Sequence, residues 1–548
     1  MNTLKDYVNF KLTHADKIAE AESYPLTMEN CKKYKKMKQL EIYGNSVQDG
    51  TPTSDAPVEV QSVGEKSINL ATAYDVCKDF DDYTKVIEDG RNCVRYLDSN
   101  TTKANPFGFK ENTQYTISFD CKLEKGQYGN DTTTPTSIMM VFHYSDGTVG
   151  SVSTGDGIAL SVRGVWYTKK MTSKAGKTVV GIGTRTYQYQ NYNYIDVDTF
   201  QVEEGATATP YEPYGKYKIP VVVKGKNLAD VRKAFKNFSD YTELEEDGRQ
   251  CIRVKSNGGA YAFFDFTFKE NTQYTISFEF KCKYDRSGVN LPHDCPFAVY
   301  YTNGDIDYCS LNPIDGTWNK RTLTTNANKT VSHIKQFSFD YRVYDYIDVN
   351  TFQLEEGTVT EYEPYVEPVT TNIFLNEPLR KLGNYADYID FKNNKVVRKC
   401  VKKYLSNYNW MKNNIGEFSN GSYGFYAEDR SIVPDYTGNL PSSAYGFSNV
   451  FPITHLTSNW ATYTFAIWVA TWATNVRIVI PAEYLTEKSV SALKSWLEEN
   501  NAYMICIRKT PAEEPLNIDL PKLTAKTTII EVDTNLAPSN AYGKYIKK

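Results

Sequence analysis

The stretch FKENTQYTISF occupies residues 109–119 and returns unchanged at residues 268–278. A second phrase, YIDVDTFQVEEG at residues 194–205, returns as YIDVNTFQLEEG at residues 346–357, and each copy then leads to YEPY. The copies lie 159 residues apart at the first phrase and 152 residues apart at the second. Because this period is far longer than that of a solenoid repeat, it indicates a whole domain present twice in tandem.

Apolar and polar residues alternate within the repeated stretch. Tyr115, Ile117 and Phe119 fall on one face of an extended segment, while Thr116 and Ser118 fall on the other. This period of two is typical of a strand with one buried face. The repeat contains no convincing helical period, so we predict that both copies are built of strands.

Turn signals separate these strands. Asp146-Gly147 stands at a hairpin tip in the first copy, and Asn303-Gly304 stands at the equivalent place in the second. Both dipeptides favour a primed two-residue turn, so we expect that turn at both tips. Short strands with turns between them predict a mainly β fold with two tandem jelly-roll β-sandwiches.

The overall composition excludes several classes of protein. The 548 residues are enough for about three or four domains. A formal net charge of −4 leaves no basic excess for binding nucleic acid. The 43 tyrosines supply the half-polar contact area that binding surfaces favour. The N-terminal stretch has no apolar segment of the kind found in a signal peptide, so none is expected.

The ten cysteines form neither a C-x-x-C spacing nor a zinc pattern. Only Cys93 and Cys251 occupy matching positions in the two copies, whereas Phe280 replaces Cys121 in the second. A disulfide framework would have been duplicated together with its domain. We therefore expect free, buried thiols in a protein made in a reducing cytoplasm.

We expect five parts along the chain. Residues 1–22 have apolar residues three or four apart, which predicts an amphipathic helix that either packs on its own chain or anchors it to an assembly. Residues 23–66 predict a β-hairpin connector whose strands pair with the C-terminal domain. Residues 67–215 and 216–366 are the two β-sandwiches. Residues 367–548 form a C-terminal β domain that carries one helix.

The C-terminal part lacks the repeat. Residues 460–481 are poor in charge, but their threonines and their alternation predict strands and not a membrane span. We expect Thr486 to cap the single helix. The proline-containing segments at residues 217–226 and 366–371 are expected to be short, stiff linkers.

The sequence offers little material for catalysis. It contains neither a GxxxxGK[ST] loop nor a GxSxG elbow, and its five histidines lack spaced partners. A glycosidase needs two carboxyl groups about 5–9 Å apart, and the neighbours Glu203 and Glu204 point to opposite faces of a strand. Asp196 and Asp198 share a face, but Asn350 replaces the second of them in the other copy. We therefore predict a protein that is not an enzyme.

Aromatic residues alternate with amides in YQYQNYNY at residues 187–194. Sugars offer both an apolar ring face and hydroxyl groups, so this mixture suits them. In a regular strand Tyr192 and Tyr194 share one face while Asn191 and Asn193 share the other, so only one set can face a ligand. For the tyrosines the alternative is packing inside the sandwich or against the neighbouring module, and for the two tryptophans it is packing in the core. The candidate carbohydrate-binding residues are Tyr187, Tyr189, Asn191, Tyr192, Tyr341, Tyr344, Trp166 and Trp318.

Several phrases resemble known protein families. YGNSVQDGTPTSDAPVEVQSVG, at residues 43–64, closely resembles a phrase in structural proteins of tailed bacteriophages that infect Firmicutes. The phrase NIFLNEPLRKLG at residues 372–383 and the phrase TTIIEVDTNLAPSNAYGKY at residues 527–545 are similar to parts of the same proteins. The duplicated unit, with its YIDV strand and YEPY ending, resembles carbohydrate-binding modules of the jelly-roll type.

This resemblance implies a virion protein of the tail fibre, the baseplate or another appendage, assembled in the cytoplasm of a bacterial host. Other virion proteins would hold its N-terminal segment, and a host cell-surface glycan would be its ligand. A homo-oligomer is expected, with a trimer favoured, and neither nucleic acid binding nor membrane insertion is expected. The alternatives are a virion spacer or decoration protein without glycan binding, and a polysaccharide depolymerase.

The same resemblance bears on metal binding. In the carbohydrate-binding relatives an acidic residue on the final strand helps to hold a structural calcium ion, and Asp196 and Asp348 match that position. Calcium takes about six to eight oxygen ligands, and the sequence does not identify the others. A calcium ion in each copy is one interpretation and ordinary surface aspartates are the other. No other cofactor is expected.

Overall fold

The structure is a computed structural model. It describes residues 41–547, apart from residues 45, 49, 54, 59, 98–101, 105–107, 127–136, 186–190, 237–239, 256–265, 285–293, 309–315, 339–342, 392, 413–416, 433–445, 455–459, 471–474, 517–526 and 533–541. The helix predicted over residues 1–22 lies outside the described residues. The fold is mainly β, as predicted.

The chain forms two compact units. The first comprises residues 63–219 and 373–378, and the second comprises residues 1–62, 220–372 and 379–548, as far as they are described. The first unit therefore contains the first copy of the repeat, which we call module 1. The second unit contains the second copy, module 2, together with most of the C-terminal part.

Among the described residues, four short strands precede the repeat of module 1. Strands β2 and β3 pair antiparallel with each other, from Ser46 opposite Ser62 to Gln48 opposite Val60. Strand β1 pairs with two strands of the C-terminal part, described below. The strands are β1 (Glu41–Tyr43), β2 (Ser46–Gln48), β3 (Val60–Ser62) and β4 (Glu65–Lys66).

Module 1 is a sandwich of two antiparallel sheets. One sheet has the strand order β11-β8-β13-β6-β5, with β14 also on β8, and the other has the order β10-β9-β12-β7. The elements are α1 (Ala73–Cys77), β5 (Thr84–Glu88), β6 (Arg91–Leu97), β7 (Thr102–Ala104), β8 (Tyr115–Glu124), β9 (Ser137–Tyr144), β10 (Gly157–Leu160), β11 (Trp166–Thr172), β12 (Val179–Arg185), β13 (Tyr192–Asp196) and β14 (Gln201–Glu204), with a 3-10 turn at Val152–Thr154.

The core of module 1 lies between its sheets. Tyr115, Ile117 and Phe119 of β8 are all buried there, so the alternation predicted for this strand is confirmed. Phe142 of β9 and Ile182 of β12 meet them from the other sheet. The short helix α1, which the sequence did not indicate, closes one side of the core with apolar residues.

Module 2 repeats this architecture after strand β15 (Tyr217–Gly225). Its sheets have the orders β16-β17-β23-β18-β21, with β24 on β18, and β20-β19-β22. Their apolar faces again enclose one core. The elements are α2 (Val231–Phe235), β16 (Thr242–Glu246), β17 (Arg249–Lys255), β18 (Tyr274–Tyr284), β19 (Asp294–Tyr301), β20 (Ile306–Tyr308), β21 (Trp318–Thr324), β22 (Val331–Ser338), β23 (Val343–Asp348) and β24 (Gln353–Glu356).

Among the described residues, the C-terminal part contains a large sheet, a smaller four-stranded sheet and a two-stranded one. The large sheet includes the order β36-β37-β1-β28-β29-β35-β32, and the smaller has the order β30-β31-β34-β33. The elements are β25 (Val369–Leu375), β26 (Lys381–Leu382), β27 (Tyr385–Ala386), β28 (Tyr388–Asp390), β29 (Lys395–Tyr404), β30 (Met411–Lys412), β31 (Ser422–Glu428), β32 (Gly446–Ser448), β33 (Ala466–Ala470), β34 (Asn475–Pro481), α3 (Val490–Glu499), β35 (Tyr503–Pro515), β36 (Thr528–Val532) and β37 (Tyr542–Lys547), with 3-10 turns at Leu405–Asn407, Trp460–Thr462 and Ala482–Tyr484.

Helix α3 packs on these sheets, with Leu493 and Leu497 fully buried in the core. Its N-cap is Ser489, whose hydroxyl oxygen accepts a hydrogen bond from the Ala492 amide at 3.0 Å. The prediction that Thr486 caps this helix was therefore wrong. A serine just before the first helical residue satisfies an amide of the first turn, which a threonine three residues earlier cannot reach.

The primed turns lie elsewhere than predicted. Gly147 and Gly304 have positive φ angles of 80° and 89°, but the residues before them do not. Each glycine amide instead donates to a carbonyl three residues earlier, as in a three-residue hairpin loop. In module 1 the primed turn is at Asp89 and Gly90, with φ angles of 49° and 77°, and module 2 has the same turn between β16 and β17.

The segments expected to be linkers are strands. Residues 221–225 of β15 pair antiparallel with residues 528–532 of β36. Strand β25 belongs to the same sheet as β15. A proline within β15 is tolerated because the remaining backbone groups still reach a partner. Hydrogen-bonded ladders therefore hold both segments.

The placed cysteine side chains are free, as predicted. Burial raises the pKa of the Cys93 thiol and of the equivalent Cys251 thiol to about 11, so both stay protonated and unreactive at neutral pH. The free, buried thiols are Cys77, Cys93, Cys121, Cys251, Cys282, Cys400 and Cys506.

One buried asparagine closes each module. The Asn69 amide nitrogen donates to the Phe200 carbonyl at 2.8 Å and to the Glu212 carbonyl at 3.1 Å, while its oxygen accepts from the Val202 amide at 3.0 Å. Asn227 makes the same three bonds in module 2. We call these side chains the asparagine clamps, because each one ties the start of a module to its end.

We expect Asn69→Ala to destabilise module 1 by about 2–3 kcal/mol, because it leaves buried backbone groups without hydrogen-bond partners. Urea unfolding followed by intrinsic fluorescence measures the loss. The matched control is Asn92→Ala, which removes an exposed side chain and should change the stability by less than about 0.5 kcal/mol. Equal effects of the two substitutions would contradict the clamp.

Candidate functional site

The outer face of the larger sheet in module 1 carries a row of long side chains. Trp166 of β11 pairs with Lys122 of β8, and Lys122 pairs with Tyr194 of β13. Tyr194 in turn pairs with Arg95 of β6. Since the alternate residues of β8 face the core, this row faces away from it.

Lys122 lies at the centre of this row and its side chain is almost fully buried, at 4 % exposure. Its ammonium group lies 5.7 Å from the centre of the Trp166 ring and 5.5 Å from that of Tyr194. Burial alone would lower the pKa of Lys122, but hydrogen bonds to the surrounding carboxylates outweigh that effect and raise it. The lysine is therefore charged at every physiological pH. The carboxylates around it belong to Glu88, Asp89 and Glu124.

The primed turn places the Asp89 carboxylate beside Lys122 and Trp166. Its carboxylate accepts hydrogen bonds from the Lys122 ammonium and from the Trp166 indole N–H, both at 2.9 Å. These two bonds lower the pKa of Asp89 below its usual value. Because Asp89 needs a positive φ and Gly90 follows it, the turn type and the carboxylate position are linked.

Arg91 follows this turn and covers part of the tryptophan. Its guanidinium carbon lies 4.5 Å from the centre of the Trp166 ring, within the range of a cation–π contact. Its Nη1 nitrogen, which carries two hydrogens, donates to Asp120 and to Asp196, each at 2.9 Å. A second stack, of Arg95 on Tyr192 at 4.3 Å, extends the same surface.

Module 2 contains the same arrangement. Lys281 lies 5.4 Å from the centre of the Trp318 ring and 5.5 Å from that of Tyr346. The Trp318 indole N–H donates to Asp247 at 3.0 Å, and Arg249 lies 4.5 Å from the Trp318 ring centre. We call the duplicated set the outer-face cluster. It comprises Asp89, Arg91, Lys122, Trp166 and Tyr194 in module 1, and Asp247, Arg249, Lys281, Trp318 and Tyr346 in module 2.

The two tryptophans proposed as sugar-binding residues lie in this cluster. Neither belongs to the apolar core of its module, and both are partly exposed. Of the two interpretations that the sequence left open, packing in the core therefore does not apply to Trp166 or Trp318. Tyr192 and Tyr344 lie on the same outer faces and are also partly exposed.

Asn191, also proposed as a sugar-binding residue, has no exposed surface. Its side-chain oxygen accepts two hydrogen bonds from the Arg163 guanidinium, at 2.7 and 3.2 Å. This amide is therefore not accessible to a ligand. The remaining candidates, Tyr187, Tyr189 and Tyr341, lie outside the described residues and stay predictions.

The surroundings of Asp196 and Asp348 do not fit a calcium ion. One oxygen of Asp196 accepts from the Arg91 guanidinium, and the other accepts from the Asp198 amide at 3.0 Å. Asp348 is held in the same way by Arg249. Both oxygens of each aspartate therefore already accept from hydrogen-bond donors, whereas a calcium ion needs them as ligands. Among the described residues no group of three or more His, Cys, Asp or Glu side chains could hold a metal ion.

The carboxylates considered for glycoside hydrolysis have structural partners. Glu203 is buried and accepts hydrogen bonds from the amide and the hydroxyl of Thr209, at 2.9 and 2.8 Å. Glu204, on the other face of β14, forms an ion pair with Lys110 at 2.6 Å. Asp198 accepts from the Asn92 amide at 3.0 Å.

The sequence alone did not reveal the charged members of the outer-face cluster. Their signal is the phrase EDGR, which is unchanged between residues 88–91 and 246–249, together with the matching Lys122 and Lys281. The Asp-Gly pair in that phrase is already explained by the turn that it forms. The glutamate and the arginine become informative only when the tryptophan and the lysine are known to lie beside them.

We expect the indole signals of Trp166 and Trp318 to keep their neutral-pH positions down to pH 3.8, the usual aspartate value, and to move only below it. The lowered pKa means that each carboxylate stabilises the cluster fully above that pH and loses its effect as the pH falls through the lowered value. Fluorine NMR of the protein labelled with 5-fluorotryptophan measures this. Asp89→Asn with Asp247→Asn should abolish the transition, and movement already above pH 3.8 would contradict the bonding described.

Several solved structures are similar to this chain, and two of them are tandem CBM domains. No family model matches the chain, and no curated protein matches it. The tandem CBM22 domains of Paenibacillus barcinonensis Xyn10C are 11% identical, with 54% of this chain and 99% of theirs covered and a TM-score of 0.22. The tandem CBM51 modules of Sp3GH98, a family 98 glycoside hydrolase of Streptococcus pneumoniae, are 10% identical, with 56% and 99% covered and a TM-score of 0.15. At these scores the two likenesses carry no argument about this chain. Within the described ranges no helix has the length and apolar character needed to cross a membrane.

Proposed function

We propose that this chain is a glycan-binding protein without enzymatic activity, in which each β-sandwich offers its outer-face cluster to a saccharide. One observation carries the proposal. In both modules a partly exposed tryptophan and a tyrosine flank a lysine on the outer face of the larger sheet, with carboxylates beside them. The tyrosine is partly exposed in module 1 (Tyr194) and 8% exposed in module 2 (Tyr346), where the neighbouring Tyr344 is partly exposed.

The chemistry of this surface suits a sugar. Aromatic rings such as those of Trp166 and Tyr194 offer apolar area to the C–H face of a pyranose. The carboxylates of Asp89 and Glu124 can accept hydrogen bonds from sugar hydroxyl groups, and an ammonium group can donate hydrogen bonds to those hydroxyl groups. The ion pairs around Lys122 hold these groups in place before the ligand arrives, which reduces the cost of ordering them on binding.

The duplication has a physical purpose in this function. Two weak sites on one chain turn the second binding event into an intramolecular one, so the overall affinity for a repetitive polysaccharide rises without any new contact. A homo-oligomer, for which we favour a trimer, would multiply this effect. A bacterial surface presents many copies of the same glycan, and it is the ligand that we propose.

We further propose that the protein belongs to the virion of a tailed phage, in the tail, the baseplate or a fibre. The resemblance of residues 43–64, 372–383 and 527–545 to phage structural proteins supports this assignment. Residues 1–22 would then attach the chain to other virion proteins after assembly in the host cytoplasm.

A virion spacer without glycan binding is the second candidate. It is favoured by the strands that replace the expected linkers, since hydrogen-bonded ladders make residues 217–225 and 369–375 stiff. In module 2, Glu363 adds to this stiffness by accepting hydrogen bonds from the amide and hydroxyl of Thr527, at 2.8 and 2.7 Å. The glycan-binding protein and the spacer differ in what they predict for substitutions in the outer-face cluster.

We expect Tyr194→Ala combined with Tyr346→Ala to weaken binding to host wall polysaccharide by at least about tenfold, because each substitution removes an aromatic contact worth about 1 kcal/mol. Biolayer interferometry on immobilised polysaccharide measures this. The corresponding double phenylalanine variant keeps the rings and should bind like the parent protein.

The matched control is Tyr404→Ala, which removes an exposed tyrosine of the C-terminal part. Binding that is unchanged in the double alanine variant, with unchanged circular dichroism, would favour the spacer over the glycan-binding protein. Binding that is lost in the Tyr404→Ala control as well would assign the glycan site to another surface.

We expect no new reducing ends when the protein is incubated with host wall polysaccharide, because structural partners engage the glutamates and aspartates that could act as acid and base. A colorimetric assay for reducing sugars over several hours checks this, with a known polysaccharide hydrolase as positive control. Reducing ends that increase with protein concentration would support the depolymerase alternative.

A further inference from the structure

We propose that the two modules select glycans of different charge, module 1 an uncharged glycan and module 2 an anionic one that carries carboxylate or phosphate groups. This inference rests on the proposed function of the outer-face cluster. It comes from one position at which the otherwise equal clusters differ, Glu124 in module 1 and Lys283 in module 2.

The two residues are equivalent in the fold. Each follows the central lysine of its cluster by two positions on the same strand, β8 in module 1 and β18 in module 2. Each is also the cross-strand partner of an equivalent tyrosine, Tyr192 for Glu124 and Tyr344 for Lys283. Both side chains are therefore on the outer face, and they are 34% and 43% exposed.

In module 1 this position adds negative charge to the cluster. A Glu124 oxygen lies 3.3 Å from the Lys122 ammonium, which also contacts Glu88 and Asp89. One ammonium and three carboxylates give these four side chains a formal charge of −2. An anionic sugar would meet this excess of carboxylates at short range, so its binding is disfavoured.

In module 2 the same position adds positive charge. Glu246 is shared by the ammonium groups of Lys281 and Lys283, and Asp247 contacts Lys281. Two ammonium groups and two carboxylates give a formal charge of 0. The Lys283 ammonium lies 5.1 Å from the centre of the Tyr346 ring and has three N–H donors, of which Glu246 uses one. A carboxylate or phosphate on a sugar bound at this surface can take another.

The arginine bridges are the same in the two modules. Arg91 bridges two carboxylates in module 1, and Arg249 bridges two in module 2. Within the lysine-centred sets the two-unit difference in charge arises at the position of Glu124 and Lys283. Module 2 also has Lys255 opposite Tyr344 where module 1 has Leu97 opposite Tyr192, and this lysine adds to the positive charge of module 2. A single charge reversal in each module should exchange their preferences.

The experiment uses full-length chains in which one module is silenced. Tyr346→Ala leaves module 1 active, and Tyr194→Ala leaves module 2 active. Retention is measured by affinity electrophoresis on four polymers: polygalacturonate, its fully methyl-esterified form, a glycerol phosphate polymer and dextran. The first two share one backbone and differ in charge, and the last two separate phosphate from neutral glucan.

The Tyr346→Ala chain should prefer the neutral polymers and the Tyr194→Ala chain the anionic ones, in the latter case with a retention that falls as salt rises. Adding Glu124→Lys to the first chain should raise its ratio of anionic to neutral binding about tenfold, and adding Lys283→Glu to the second should lower that ratio about tenfold. Retention of polygalacturonate but not of the glycerol phosphate polymer would identify carboxylate as the recognised anion, and the reverse would identify phosphate.

Two results would overturn the proposal in distinguishable ways. Retention by both chains with ratios that the charge reversals leave unchanged would refute the charge selection while leaving glycan binding intact. No retention of any polymer by the unsilenced parent chain would refute glycan binding on these surfaces, and the charge selection with it. Lys85→Glu, a charge reversal on the edge strand β5 outside the cluster, is the matched control and should leave the ratio unchanged.

Discussion

Each β-sandwich is closed by the side chain of one buried asparagine. Asn69 and Asn227 join the segment that begins a module to two backbone segments near its end, through three hydrogen bonds each. An amide can do this because it is both donor and acceptor, and because no apolar side chain could satisfy the same buried backbone groups. The clamp makes a module self-contained, with its start and its end side by side. A unit of this kind can be duplicated in tandem without disturbing its neighbours.

Each outer-face cluster contains a lysine that is both buried and charged. Lys122 and Lys281 are nearly as buried as core residues, and a buried ammonium is costly unless carboxylates and aromatic rings compensate it. Here the carboxylates come from a primed turn, so the hairpin fixes where the charge lies. The same contacts hold the tryptophan ring at the surface. Organised polar groups beside a partly exposed ring are what a saccharide site requires, and they also explain how one substitution could change the charge that the site accepts.

Much of this fold could be predicted from local patterns, and the remainder depended on distant pairing. The alternation of buried and exposed residues in β8 can be read from adjacent residues. The presence of two copies of one module can be read from the repeated phrases. Strand β15 looked like a linker because its partner, β36, lies about three hundred residues away along the chain and no local pattern reveals it. At the site, Trp166 lies an odd number of residues from the buried Met171 of the same strand, a parity that indicates the outer face. The contribution of Lys122 could not be predicted, because a buried lysine makes sense only once its carboxylates are positioned in space.

Strand β1 lies directly beside β37, antiparallel, with Glu41 opposite Lys544. The first and last described strands of the chain are therefore paired in one ladder, and the rest of the described chain lies between them in sequence. Because the strands are antiparallel, the chain leaves both of them at the same end of the ladder. A tensile load applied between those two exits would part the hydrogen bonds of the ladder one after another, starting at that end. The β1–β37 ladder is therefore the place at which a chain pulled by these two strands would yield first.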